Sequence, residues 1–147
     1  MCIRDRAQGV LAVSIHLNSF KEDESVYGAQ VFYPRDSIKR TEGRTYEHDS
    51  KEYAENIQKA IEMNISDGRE RQIMTKDDFL VFEAPTCPMV LVECGFLSNS
   101  KEREKLKTSE YQAEMAEAIW QGINEILCLE KDRKMEIVDS ANKGQKK

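Results

Sequence analysis

Two short apolar runs, each closed by an ionisable residue, constrain this chain more than anything else in it. Val10-Leu-Ala-Val-Ser-Ile15 is almost continuously apolar and gives way to His16, while Met89-Val-Leu-Val92 follows Pro85 and Pro88 and gives way to Glu93. Such runs are too short for buried helices and read as strands covered on both faces of a parallel or mixed sheet. A third extended run, Ala29-Gln-Val-Phe-Tyr33, alternates more and stops at Pro34, as a strand nearer an edge does. Helices are expected between and after them. Asp49-Ser-Lys-Glu52 has the form of a capping box, and Tyr53, Ala54, Ile57, Ala60, Ile61 and Ile65 follow at amphipathic spacing as far as Gly68. Ser109-Glu-Tyr-Gln112 repeats the pattern ahead of Met115, Ile119, Ile123, Ile126 and Leu127. Phe79 to Phe82 reads as a short strand, and Asn99 or Ser100 as the cap of a short helix over Lys101-Glu-Arg-Glu-Lys. Strands alternating with helices define an α/β fold, whose ligands sit beyond the carboxyl ends of the strands, where His16 and Glu93 stand.

Length and composition narrow the field further. A chain of 147 residues supports one domain that buries about 70% of its unfolded surface. With 39% hydrophobic and 33% charged residues it is too apolar for disorder, and no apolar run is long enough to span a membrane. Lys plus Arg at 22 against Asp plus Glu at 27 gives a net charge of -5, which argues against a nucleic-acid partner. The charged stretch 35–47 shows neither hydrophobic period and reads as a solvated loop. Residues 130–147 carry too little apolar surface to order themselves and are expected to form a polar tail.

Residues 1–6, Met-Cys-Ile-Arg-Asp-Arg, match a translation of ATG TGT ATA AGA GAC AGN, bases resembling the end that a transposase adds to library fragments. They are read as an adapter-derived artefact, so a missing signal or anchor carries no information here. Without Cys2, the cysteines Cys87, Cys94 and Cys128 are odd in number and have no CxxC spacing, which points to three buried thiols.

His16 by itself is either a histidine bonded to a nearby carbonyl or a metal ligand. Glu93, directly after Met-Val-Leu-Val, must be paired, protonated or close to a cation to tolerate losing water. Cys94 neighbours it on the strand and so points to the opposite face, packed behind the site. Asn18 is expected to fix its loop through side-chain bonds to backbone. His48, just before the Asp49 cap, reads as a surface-loop residue.

Ser14-Ile-His-Leu-Asn18 with Gly28-Ala-Gln-Val-Phe32, and later Val90-Leu-Val-Glu-Cys-Gly-Phe-Leu-Ser-Asn99, resemble the zinc-dependent N-acetylmuramoyl-L-alanine amidases of bacterial cell walls. The likeness runs from about Gly9 to Leu127. It implies an α/β fold with a mostly parallel, mixed sheet of six strands flanked by helices in three layers, and a catalytic zinc held by two histidines and a glutamate. His16 matches the second histidine. Glu93 matches the catalytic glutamate, which takes a proton from the zinc-bound water and passes it to the leaving amine. The substrate implied is peptidoglycan, cut between the lactyl group of N-acetylmuramic acid and L-alanine.

The pattern is incomplete. The family's first histidine, in a Gly-His-Gly turn, and the glutamate ligand after it precede the region matched by His16, and nothing here corresponds to them. On this reading residues 7–129 are the C-terminal portion of the catalytic domain, its N-terminal strands missing, and the chain as written binds zinc weakly and hydrolyses little. The combined motifs look most like the germination-specific amidases of endospore formers, which implies a role in spore cortex, a partner protein in that pathway and an extracytoplasmic location, in the cell wall or the forespore intermembrane space. Two other readings stand beside it. One is a non-catalytic wall-binding or partner-binding module with the same fold. The other is a zinc carboxypeptidase-like hydrolase, which needs a carboxylate-binding arginine such as Arg35, Arg40 or Arg44.

Overall fold

A computed structural model describes residues 11–35, 46–65, 69–76, 78–82 and 87–144, with side chains as far as 136. The readings of 1–6 as an artefact and of most of 35–47 as a loop lie outside them. The elements run β1 (Ala12–Asn18), β2 (Gln30–Tyr33), α1 (Tyr46–Asn64), β3 (Met74–Thr75), one 3-10 turn (Leu80–Phe82), β4 (Met89–Phe96), α2 (Ser100–Leu106) and α3 (Ser109–Gly144). The strands form one sheet in the order β1-β4-β2-β3. β1 runs parallel to β4 and β2 parallel to β3, whereas β2 and β4 are antiparallel, so the α/β fold carries a mixed sheet.

β4 is buried along its whole length, as its apolar run requires. Alternation sends Val90, Val92 and Cys94 to one face, where they join Val31 against Tyr53 and Ile57 of α1 and Met115, Ala118 and Ile119 of α3. Fully burying a side chain of this size contributes about 1.5–3 kcal/mol, so this helix-covered face supplies most of the driving force. Met89 and Leu91 go to the other face and pack with Phe32 and Phe82.

Several expectations are corrected. β1 is not covered on both faces: it stands at the free edge of the sheet among the described residues, and Ile15 and Leu17 are 63% and 48% exposed. β2 lies inside, between β4 and the two-residue β3, rather than nearer an edge. The segment at Phe79–Phe82 is a 3-10 turn, because the Phe82 N–H donates to the Phe79 carbonyl at 2.8 Å and the two rings stack edge to face. α1 begins at Tyr46, with Glu47 and Asp49 in its first turn, so His48 is on a helix and not in a loop. The supposed capping-box residues serve elsewhere: Ser50 Oγ accepts the Met89 N–H at 3.0 Å, and Glu52 pairs with Arg133. Cys128 is exposed on α3, while Cys87 and Cys94 are buried as expected. α3 does not stop near Leu129 but continues to Gly144 through most of the expected tail, tied to α1 where Arg133 meets both Glu52 oxygens at 2.7 and 2.8 Å.

Candidate active site

Register places the site. His16 on β1 and Gln30 on β2 are both paired with Glu93 on β4, so the three form one rung across adjacent strands. Their side chains share the face turned away from α1 and α3, beyond the apolar rung of Leu91 and Phe32. Both strands run past the expected ends, β1 to Asn18 with an irregularity after His16, and β4 to Phe96. Pairing explains the extension, since Asn18 is opposite Phe96 and the Asn18 carbonyl accepts the Leu97 N–H at 2.8 Å.

Glu93 is only 5% exposed, and its Oε2 is buried without a hydrogen-bond partner among the described residues. Burial pushes its carboxyl above the ordinary carboxylate range, and the nearby charges of His16 and Lys76 pull it partly back. His16 is exposed, with Nε2 2.9 Å from Ser14 Oγ. The Gln30 amide is already engaged: its Nε2 donates to the Gln72 carbonyl at 2.8 Å and its Oε1 accepts from Arg71 at 3.3 Å. Lys76 lies on the rim, 4.5 Å over the Phe79 ring and 3.8 Å from Asp78.

The other residues singled out in the sequence separate from this rung. Asn18 Oδ1 accepts the Ser19 N–H at 2.8 Å, a bond of the expected loop-fixing type. Cys94 is on the helix-covered face, its thiol pushed up to about 11 by burial, which leaves it protonated near neutrality and unsuited to nucleophilic attack. His48, in the first turn of α1, faces Asp49 at 3.6 Å. Arg35 donates to Thr75 Oγ1 at 3.4 Å, and Arg40 and Arg44 lie outside the described residues. Gln30, Arg71 and Lys76 were missed. Gln30 had a signal, being the polar residue in phase with Phe32 on a strand, whereas Arg71 and Lys76 had none.

A catalytic zinc takes three protein ligands and keeps one position open. Among the described residues no three His, Cys, Asp or Glu side chains gather in a way that could hold a metal. What the rung offers is one exposed imidazole and, beside it, a buried carboxylate with an unpartnered oxygen. Among the described residues, that fits one ligand and one acid–base group and does not by itself make up a three-ligand site.

Comparison with known proteins gives a consistent result. The family described as N-acetylmuramoyl-L-alanine amidase matches residues 3–125. An uncharacterized cell wall amidase of Bacillus anthracis is 33% identical over 116 residues, which are 79% of this chain and 21% of that protein. The CwlD amidase of Clostridioides difficile, solved in complex with the GerS lipoprotein, is similar with a TM-score of 0.75 and 37% identity, over 86% of this chain and 59% of that one. An N-acetylmuramoyl-L-alanine amidase from Clostridium difficile 630 gives a TM-score of 0.70 at 32% identity, over 85% and 61%. The chain therefore spans a fifth to three fifths of the length of these relatives.

Proposed function

We propose, from the premise that this chain belongs to the N-acetylmuramoyl-L-alanine amidase family, that the protein it comes from hydrolyses the amide between N-acetylmuramic acid and L-alanine in peptidoglycan. The observation that carries the mechanism is the buried, unpartnered Oε2 of Glu93 on the same rung as the exposed His16. A carboxyl raised by burial holds a proton at higher pH than an exposed one, so it is suited both to accept a proton during attack and to return it to the leaving amine. Glu93 is thus the acid–base group, and Gln30, fixed by Arg71 and the Gln72 carbonyl, forms the wall beside it. Zinc, when bound, supplies a Lewis acid that polarises the scissile carbonyl and activates water, and His16 is one of its ligands. Asn18 serves as scaffolding for the strand that carries His16.

Residues 7–129 form part of the catalytic domain on this reading. The substrate is a wall polymer, so the protein acts outside the cytoplasm. The likeness to CwlD supports a role in spore-cortex maturation or germination, and that neighbour's complex with a lipoprotein supports a partner protein for this one.

The test is digestion of purified peptidoglycan by the gene's complete product with zinc, with newly freed L-alanine amino termini as the readout. The parent should release them, and Glu93→Gln, with an unchanged circular dichroism spectrum, should be slower by about 10²–10⁴-fold. A parent that binds zinc and wall polymer but releases no amino termini would make the non-catalytic binding module the better reading.

A further inference from the structure

Glu102 is a carboxylate buried to 5% exposure on a seven-residue helix, α2, away from the rung. Among the described residues, both of its oxygens are met by backbone amides and neither by a basic side chain. Oε1 accepts the Gly28 N–H at 2.9 Å, and Oε2 accepts the Phe96 N–H at 2.7 Å. Those two amides flank the site. Gly28 lies two residues before Gln30, and Phe96 three residues after Glu93, so one side chain joins the start of β2 to the end of β4.

Arg71 grips the same places from the other side. The Tyr27–Gly28 peptide donates its N–H to Glu102, and its carbonyl accepts from Arg71 Nε at 2.8 Å and also from Nη2. The Arg71 guanidinium stands 4.9 Å over the Phe96 ring, and its Nη1 donates to Gln30. The backbone has been shaped to allow this. Gly28 has φ 99, and Gly95 has φ 150, conformations that side chains other than glycine rarely adopt. At Gly95 an added Cβ would come within 2.8 Å of Glu102 Cδ, so the carboxylate occupies the space a side chain would need. On α2 the Asn99 side chain accepts from the Lys101 and Glu102 N–H groups, which fixes the turn from which Glu102 reaches inward.

We propose that Glu102 is a positioning residue for Glu93: by holding the Gly28 and Phe96 amides on one carboxylate, it fixes how β2 and β4 meet at the Glu93–Gln30 pair. This rests on the assignment of Glu93 as the acid–base group. Two facts favour positioning over general stabilisation. Both bonds lie within three residues of the rung, and each joins α2 to a strand that bears a member of it.

The experiment compares Glu102→Gln with Leu106→Ala. The glutamine has the same shape, but its amino end cannot accept an N–H, so one of the two amides loses its partner. Leu106, buried on the same short helix, is a packing control. In the complete gene product, Glu102→Gln should lower kcat about 10²-fold at unchanged KM, the scale expected for a misplaced reacting group. Leu106→Ala should leave kcat within about twofold, even with a larger loss of Tm. A Glu102→Gln variant whose activity merely follows its stability, as Leu106→Ala does, would overturn the proposal. The second readout, amide hydrogen exchange on the present chain, does not depend on turnover. Faster exchange confined to Gly28, Phe96, Gln30 and Glu93 supports the proposal even if the parent proves not to be an amidase, which would then be the only reading lost. Unchanged exchange at these amides, or a uniform rise across Val31, Val90 and Val92 as well, overturns it.

Discussion

At Glu93 the fold sets a carboxyl in a place that disfavours its charge. Because burial raises its pKa above the unfolded value of about 4.3, the folded chain holds this proton more tightly than the unfolded chain does. The consequence has a definite sign. Below the unfolded pKa both states are protonated and nothing is lost, while stability declines as pH rises from there through the raised folded value and is level above it. Glu93→Gln, neutral at every pH, escapes that decline. In metal-free buffer the variant should therefore show a higher Tm than the parent at pH 7.5 and a nearly equal one at pH 4 by scanning calorimetry. An equal offset at both pH values would show that the raised pKa is not what the substitution relieves. His16 and Glu93 were legible in the sequence because each closes a buried strand, where an ionisable group needs a reason to be. Arg71 and Lys76 were not, since each comes from a segment separated in sequence from the strands it meets, and Glu102 was not, because its second partner, the Gly28 N–H, is 74 residues away.

Among the elements, α3 departs furthest from its expected form. Its composition changes at Leu129 from amphipathic to mostly charged and polar, and with the apolar stripe gone there is no packing face to hold a helix beyond that point. The continuation has a tertiary cause. Arg133 bonds Glu130 on its own helix at 2.9 Å and reaches both oxygens of Glu52 on α1. Burial raises the Tyr53 phenol well above its ordinary range, and its hydrogen bond to Glu130 raises it further. Arg133→Ala should release the turns beyond about residue 130. The expected readout is a loss of far-ultraviolet helical signal worth about four turns, with amide exchange accelerating only past that point. Global stability should fall by less than about 1 kcal/mol, because the pair is partly open to solvent. A variant with the parent's full helical signal would show that the ion pair does not hold this end. The same contrast appears at Ser50 and Glu52, which look like a cap in sequence but serve β4 and α3 in the fold.

On the scale of the whole molecule, the sheet is well covered at its centre and open at β1. Ile15 and Leu17 line a groove of about 340 Å³ with Cys94, Leu106, Tyr111 and Met115, next to a strand edge that is unpaired among the described residues. Exposed apolar side chains along a free edge favour association between copies. Replacing Ile15 and Leu17 with threonine keeps the branched, strand-favouring shape and removes apolar surface. The doubly substituted chain should sediment as monomer at concentrations where the parent shows larger species, with unchanged helix content. Equal association in both would place the sticky surface elsewhere.

The sequence by itself determined the α/β class, three of the four strands, the two long helices in their cores, and the pair of ionisable residues at the sheet. Period and apolar content are local properties, and a buried strand ending in a charge can be seen in one short stretch. The tertiary structure alone decided that β1 is an edge, that β2 lies inside, that α3 outlasts its apolar stripe, and that Gln30 shares a rung with His16 and Glu93. Strand order and register depend on which distant segments meet, and a single step in register would have turned Gln30 to the opposite face.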